Sequence, residues 1–103
     1  IKTSGFRTSP TELEETIYAS GLVDEIAAIG MDHEQLGQAI WIVATAKGDA
    51  GLDEDAILAY CRAEMPSYMV PHKIIEWPNL PRNPNGKIDR KSIAAELEKQ
   101  EIK

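Results

Sequence analysis

A single cysteine, Cys61, rules out an internal disulfide framework and fits a reducing cytosol, so a cytoplasmic setting is expected. No basic segment followed by an apolar stretch opens the chain, which excludes a secretory leader within it. The longest strongly apolar run, residues 39–46, falls far short of the roughly 20 residues that span a bilayer, so no transmembrane segment is expected. Repeats and low-complexity tracts are missing. Bases are outnumbered, 11 Lys and Arg against 17 Asp and Glu, and the net charge of −6 argues against a nucleic-acid binder or a polybasic membrane-surface protein. The two histidines, His33 and His72, lie far apart with no second ligand at metal spacing, so no metal site is expected. At 103 residues there is material for one modest core and not for two.

What is present is organised. Ser9-Pro10-Thr11-Glu12 has capping-box spacing, with Pro10 where its missing N–H costs nothing, and Leu13 and Ile17 give an apolar stripe up to Ser20-Gly21. Glu14 and Glu15 add charge near that helix N-terminus. Residues 23–31 read as a buried strand, and residues 39–46, rich in β-branched side chains, read as the clearest strand, with Trp41 in the sheet core. Asp53 caps a second helix through Met65, with Ile57, Leu58, Cys61 and Met65 on one face. Cys61 therefore reads as a buried structural thiol and not a nucleophile. A short strand over 73–77 leads into an irregular loop, and Asp89 caps a last helix with Ile93, Ala94 and Leu97 facing inward. The expected fold is α+β: a small three-stranded sheet with helices packed against it, preceded by a loop or hairpin.

The charges are segregated. Residues 11–64 hold twelve acids against Lys47 and Arg62, whereas Arg82, Lys87, Arg90 and Lys91 face only Asp89 in their own segment. The sharpest motif there is Pro84-Asn85-Gly86-Lys87-Ile88-Asp89-Arg90. Asn85 and Gly86 both tolerate positive φ, so Lys87 is presented on a bend, its ammonium a movable point charge for phosphate or carboxylate oxygens. Arg90 and Lys91 in a first helical turn oppose the macrodipole, as if positive potential were wanted there. An ordinary surface turn with a solubilising lysine is the competing reading. A second segment, Ile1-Lys2-Thr3-Ser4-Gly5-Phe6-Arg7, combines small residues around a glycine with an arginine able to fork onto phosphate.

Together the two segments resemble the adenylate-forming superfamily of AMP-dependent synthetases and ligases, most closely the AMP-forming acyl-CoA synthetases. Residues 1–7 are similar to its Ile-Lys-x-x-Gly-x-Arg stretch after the hinge, and residues 84–91 to its C-terminal Asn-Gly-Lys-[Ile/Val]-Asp-Arg-Lys motif. Tyr68-Met69-Val70-Pro71 and Leu80-Pro81-Arg82 also resemble family segments, in the same order.

The resemblance implies that residues 1–103 are the mobile C-terminal domain of an ATP-dependent acyl-CoA ligase, a piece of a longer protein whose N-terminal domain, phosphate loop and hinge residue lie upstream of Ile1. On that basis the complete enzyme forms an acyl-adenylate from a carboxylic acid and ATP, with Mg2+ in the substrate complex, then passes the acyl group to CoA. Lys87 would be the catalytic lysine of adenylation, Arg7 a contact to the ATP phosphates, Ser4 and Gly5 part of the pantetheine tunnel, and Asn85 and Gly86 the residues shaping the loop. The main partner would be the N-terminal domain of the same chain, and these residues alone are expected to be inactive. Two alternatives stay open: transfer to a carrier-protein phosphopantetheine, and a non-enzymatic anion-binding or interaction module.

Overall fold

The structure, a computed structural model, describes residues 2–3, 6–33, 37–48 and 51–101. Helix α1 (Pro10–Tyr18) begins as its residues dictate: the Ser9 hydroxyl accepts the Glu12 N–H at 3.4 Å, and Pro10 occupies the first turn. It ends where the Ser20 hydroxyl donates to the Ile17 carbonyl at 2.6 Å and Gly21 adopts φ +74°. Leu13 and Ile17, spaced to share one face, are fully buried.

Strand β3 (Val23–His33) pairs antiparallel along its length with β4 (Gly37–Ala46), which is the centre of the sheet. Helix α2 (Glu54–Glu64) follows, the Asp53 carboxylate accepting the Ala56 N–H at 3.0 Å. It carries the chain across so that β5 (Lys73–Glu76) lies parallel to β4, in register from Trp41↔Lys73 to Ala44↔Glu76. A parallel neighbour requires such a crossover. Helix α3 (Arg90–Glu101) closes the order. The three expected strands are thus β3, β4 and β5, and the expected loop or hairpin is a hairpin: β1 (Lys2–Thr3) pairs with β2 (Phe6–Arg7), and Thr3 extends the sheet at Gly37. A short 3-10 turn at Ser67–Met69 precedes β5.

The sheet is sandwiched. On one face Ile26, Ala28, Ile40, Ile42 and Ala44 pack with Leu13 and Ile17 of α1 and Ile57 and Cys61 of α2. On the other Ala27, Ile29, Met31 and Val43 pack with Ile93 and Leu97 of α3 and with Leu80. Strands buried on both faces lose the polar alternation of a one-sided sheet, hence the unbroken apolar runs. The radius of gyration, 13.1 Å, equals the roughly 13 Å of a folded unit of about 100 residues. Among the described residues no helix is long and apolar enough to cross a membrane. Trp41 packs against the cluster on the α3 face while staying partly buried, and the Lys73 ammonium lies 4.6 Å from its ring centroid, a cation–π contact.

Cys61 is fully buried on α2, and burial pushes its thiol pKa up. Thiolate is the reactive form, so a thiol reagent at neutral pH is expected to leave Cys61 unmodified in the folded chain and to label it once denaturant is added. Rapid native labelling would show that α2 does not seal this position.

Candidate functional site

The motif around Lys87 forms a small hairpin standing off the sheet. Its stem is made by the Asp89 N–H donating to the Pro81 carbonyl at 2.9 Å and by an isolated antiparallel bridge between Arg82 and Ile88. Above it the Asn83 N–H donates to the Lys87 carbonyl at 2.8 Å, and the Gly86 N–H donates to the Asn83 carbonyl at 2.9 Å. The second bond closes a four-residue turn with Pro84 and Asn85 at its centre, followed by Gly86 at φ +82°. Proline suits the second turn position because its φ is already near −65°, and glycine suits a left-handed residue that restores the strand direction.

The sequence points to Asn85-Gly86 as the turn-making pair; the structure gives the organising role to Asn83. Its side-chain Oδ1 accepts the N–H of Asn85 at 2.9 Å and that of Lys87 at 3.1 Å. Lys87 therefore has both backbone polar atoms bonded to Asn83, while its side chain is exposed and no acid among the described residues pairs with its ammonium. A clamped backbone carrying a free cation is suited to meeting an anionic group delivered from outside. Signals for Asn83 were present, since Asn is favoured at the first position of a turn whose second residue is Pro.

Gly86 offers a clean test of the turn. A Cβ there would meet nothing within 4 Å, so only the backbone conformation resists a side chain. Gly86→Ala is expected to cost about 1–2 kcal/mol, and Gly86→Asn clearly less, measured by urea unfolding. Equal costs would mean that the left-handed geometry is not what the turn needs.

The four cations around the turn are not one basic patch, which corrects the expectation for this segment. Arg82 ion-pairs with Glu25 of β3, and its Nη1 donates to the Gly86 carbonyl at 2.9 Å. Arg90 makes a two-point contact with Glu14 of α1, Nε to Oε2 at 3.0 Å and Nη2 to Oε1 at 2.5 Å. Donating these hydrogen bonds to the Glu14 carboxylate raises the Arg90 pKa. Glu14 also accepts the Ala28 N–H at 2.8 Å. This carboxylate therefore caps part of the open edge of β3 and joins the helix layers on the two faces of the sheet. Arg90 is thus committed to the fold, and the local positive charge falls to Lys87 and Lys91. Asp89 accepts the Ser92 N–H at 3.2 Å and its hydroxyl at 2.9 Å, which holds the carboxyl below the usual carboxylate range. A lowered acid stabilises above its unfolded pKa and loses that contribution as pH falls through the folded one, so this cap stays intact at neutral pH.

Ser4 and Gly5 lie outside the described residues, as does the side chain of Arg7. The backbone of Arg7 sits opposite Lys2 in the β1–β2 hairpin, which joins the sheet at Gly37. Arg82 anchors the Lys87 turn to Glu25, whose strand partner is Thr45. At about 3.3 Å per residue, Gly37 and Thr45 are about 26 Å apart along β4. The two sequence segments therefore attach at opposite ends of the sheet and do not converge on one point. No group of three or more potential metal ligands occurs among the described residues.

The sandwiched α+β domain thus holds out Lys87, unpaired among the described residues, on a clamped turn. The chain belongs to the AMP-binding enzyme C-terminal domain family, whose profile matches residues 12–87. A long-chain-fatty-acid–CoA ligase of Yersinia pestis is 38% identical over 104 residues, covering 100% of this chain and 17% of that protein. Nonribosomal peptide synthetase 2 of Gibberella zeae is 36% identical over 99 residues, 95% of this chain and 2% of that protein. Among solved structures, a Mycobacterium tuberculosis fatty acyl CoA synthetase superposes with a TM-score of 0.87 at 29% identity, over 97% of this chain and 20% of that one. The chain thus spans about a sixth of the length of the curated acyl-CoA ligases it matches, 17% of several of them.

Proposed function

We propose that this chain is the mobile C-terminal domain of an AMP-forming acyl-CoA ligase, and that Lys87 is its adenylation lysine. The observation that carries the proposal is the exposed Lys87 ammonium on a turn whose backbone is fixed at both polar atoms. Attack of a carboxylate on the α-phosphate of ATP brings two anions together and gathers charge on nonbridging oxygens as pyrophosphate leaves. A cation already in place lowers that barrier electrostatically. Lys87 orients the carboxylate and screens the repulsion, without transferring a proton. Magnesium arrives with ATP as part of the substrate.

The second half-reaction transfers the acyl group to the CoA thiol. Its proposed surface is the β1–β2 hairpin, with Ser4 and Gly5 beside the pantetheine arm, where a glycine leaves room for the thiol. Two proposed working segments whose attachments to β4 lie about 26 Å apart favour rotation between poses over a single shared site. The assignment of Arg7 to the ATP phosphates rests on its motif alone. A second reading, transfer to a carrier-protein phosphopantetheine, is favoured by the nonribosomal peptide synthetase similarity and shares Lys87 with the first.

The test follows the two half-reactions separately in the complete ligase: pyrophosphate exchange for adenylation, and thioester formation from preformed acyl-adenylate with CoA or with a carrier protein. Lys87→Ala is expected to slow the first by about 10²–10³-fold and spare the second. Survival of exchange would remove Lys87 from the chemistry, and faster transfer to the carrier than to CoA would move the acceptor to the second reading.

A further inference from the structure

We propose that Glu25, acting through Arg82, is a positioning residue for Lys87: the pair locks the peptide plane from which the lysine is aimed. The inference rests on the adenylation reading of Lys87. Its starting point is the peptide unit joining Gly86 to Lys87. The oxygen of that unit, the Gly86 carbonyl, accepts from Arg82 Nη1 at 2.9 Å. Its nitrogen, the Lys87 N–H, donates to Asn83 Oδ1 at 3.1 Å. A peptide unit is planar, so gripping both ends fixes its rotation, and with it the direction in which the Lys87 side chain leaves the backbone.

The two grips differ in origin. Asn83 belongs to the turn and moves with it, so it fixes the local shape and nothing more. Arg82 reaches outside: its other terminal nitrogen, Nη2, pairs with Glu25 on β3. The guanidinium therefore links the turn to the sheet, one nitrogen on each. That linkage needs a rigid planar fork with separate donors, which a lysine cannot supply. The stem below the turn is short, the Asp89–Pro81 hydrogen bond and one isolated bridge, and neither ties the turn itself to β3.

Stability does not account for the arrangement. The Arg82 side chain is 47% exposed and that of Glu25 29%, and half-exposed pairs of this kind contribute little to folding. Aim, in contrast, matters to the proposed chemistry, because misplacement of a catalytic group by about 1 Å can cost about 10²-fold in rate. Glu25 touches neither substrate nor Lys87 and acts only by holding Arg82.

The experiment uses the complete ligase with Glu25→Gln, Arg82→Lys, and the exchanged pair Glu25→Arg with Arg82→Glu. Pyrophosphate exchange, thioester formation from preformed acyl-adenylate, and melting temperature are measured for each. Glu25→Gln and Arg82→Lys are expected to lower the kcat of exchange about tenfold, leaving its KM for ATP, the thioester step and the melting temperature near wild type. The exchanged pair restores the opposite charges but puts no donor beside the Gly86 carbonyl, so exchange stays slow. In a Lys87→Ala background Glu25→Gln is expected to cause no further loss, since both act through one group. Wild-type exchange in the single variants, rescue by the exchanged pair, or equal losses in both half-reactions would overturn the proposal. Lys87→Ala run alongside separates the two ideas. If it collapses exchange while Glu25→Gln does not, only the positioning role fails; if it leaves exchange intact, the adenylation reading fails first.

Discussion

Lys87→Ala in the complete ligase is expected to slow acyl-adenylate formation by about 10²–10³-fold, the usual loss when one preorganised charge-stabilising group is removed. The magnitude follows from what the turn has done in advance. Both backbone polar atoms of Lys87 are bonded to Asn83, and the carbonyl before it is held by Arg82, so the ammonium is delivered with little reorganisation. The charge is also undivided, since Arg82 and Arg90 are occupied by Glu25 and Glu14 and do not substitute for it. Lys87→Arg keeps the charge but spreads it over a wider planar group, and is expected to recover only part of the rate. Thioester formation from preformed acyl-adenylate should proceed at the wild-type rate in both variants. A parallel fall in both half-reactions would instead indicate that the substitution disturbs the domain as a whole.

The helices and long strands were legible because local signals agreed with tertiary demands. Ser9-Pro10 marked the start of α1, Asp53 and Asp89 capped α2 and α3, and the β-branched run of β4 went to a doubly covered strand. The short elements left a weaker trace, and β5 was legible as a strand but not in its pairing. Three residues of 3-10 turn at Ser67–Met69 carry no period, and the four residues of β5 do not report that their partner is β4 or that it runs parallel. Trp41 reads as core on hydrophobicity and does pack against it, but its contact with Lys73 comes from the parallel register, which the sequence does not report.

The site was legible as a motif and not as a mechanism. Lys87 on a bend could be read directly, because Asn-Gly is a local turn signal. What aims the lysine is not local. Glu14 and Arg90 are separated by 76 residues, and Arg82 meets Glu25 across four intervening elements. Along the chain Glu14 looks like one more acid in an acidic helix, and Arg82 and Arg90 like members of a basic cluster. Folding removes both arginines from that cluster and leaves Lys87 and Lys91, of which Lys87 alone stands on the clamped turn.

Leu97→Ala is expected to destabilise the domain by about 2–5 kcal/mol, the range for truncating a fully buried leucine. Leu97 and Ile93 are the only fully buried side chains of α3 among its described residues, and through them the helix covers Ala27, Ile29, Met31 and Val43. Against a typical total of about 5–15 kcal/mol, such a loss lowers the melting temperature by about 4–8 °C for each kcal/mol. Leu97→Met, which nearly conserves volume, should cost less than about 1.5 kcal/mol. Urea unfolding distinguishes two ways in which the chain could respond. If α3 is part of one cooperative core, the midpoint falls and the slope is kept; if α3 detaches first, the slope drops because less surface remains to be exposed. The second outcome would reach the chemistry, because α3 begins at Arg90, three residues beyond Lys87, and its departure would free the Asp89–Pro81 stem and the Arg90–Glu14 clasp together. Adenylation would then fail at a temperature below global unfolding, while an intact slope would tie the loss of Lys87 function to the melting of the whole domain.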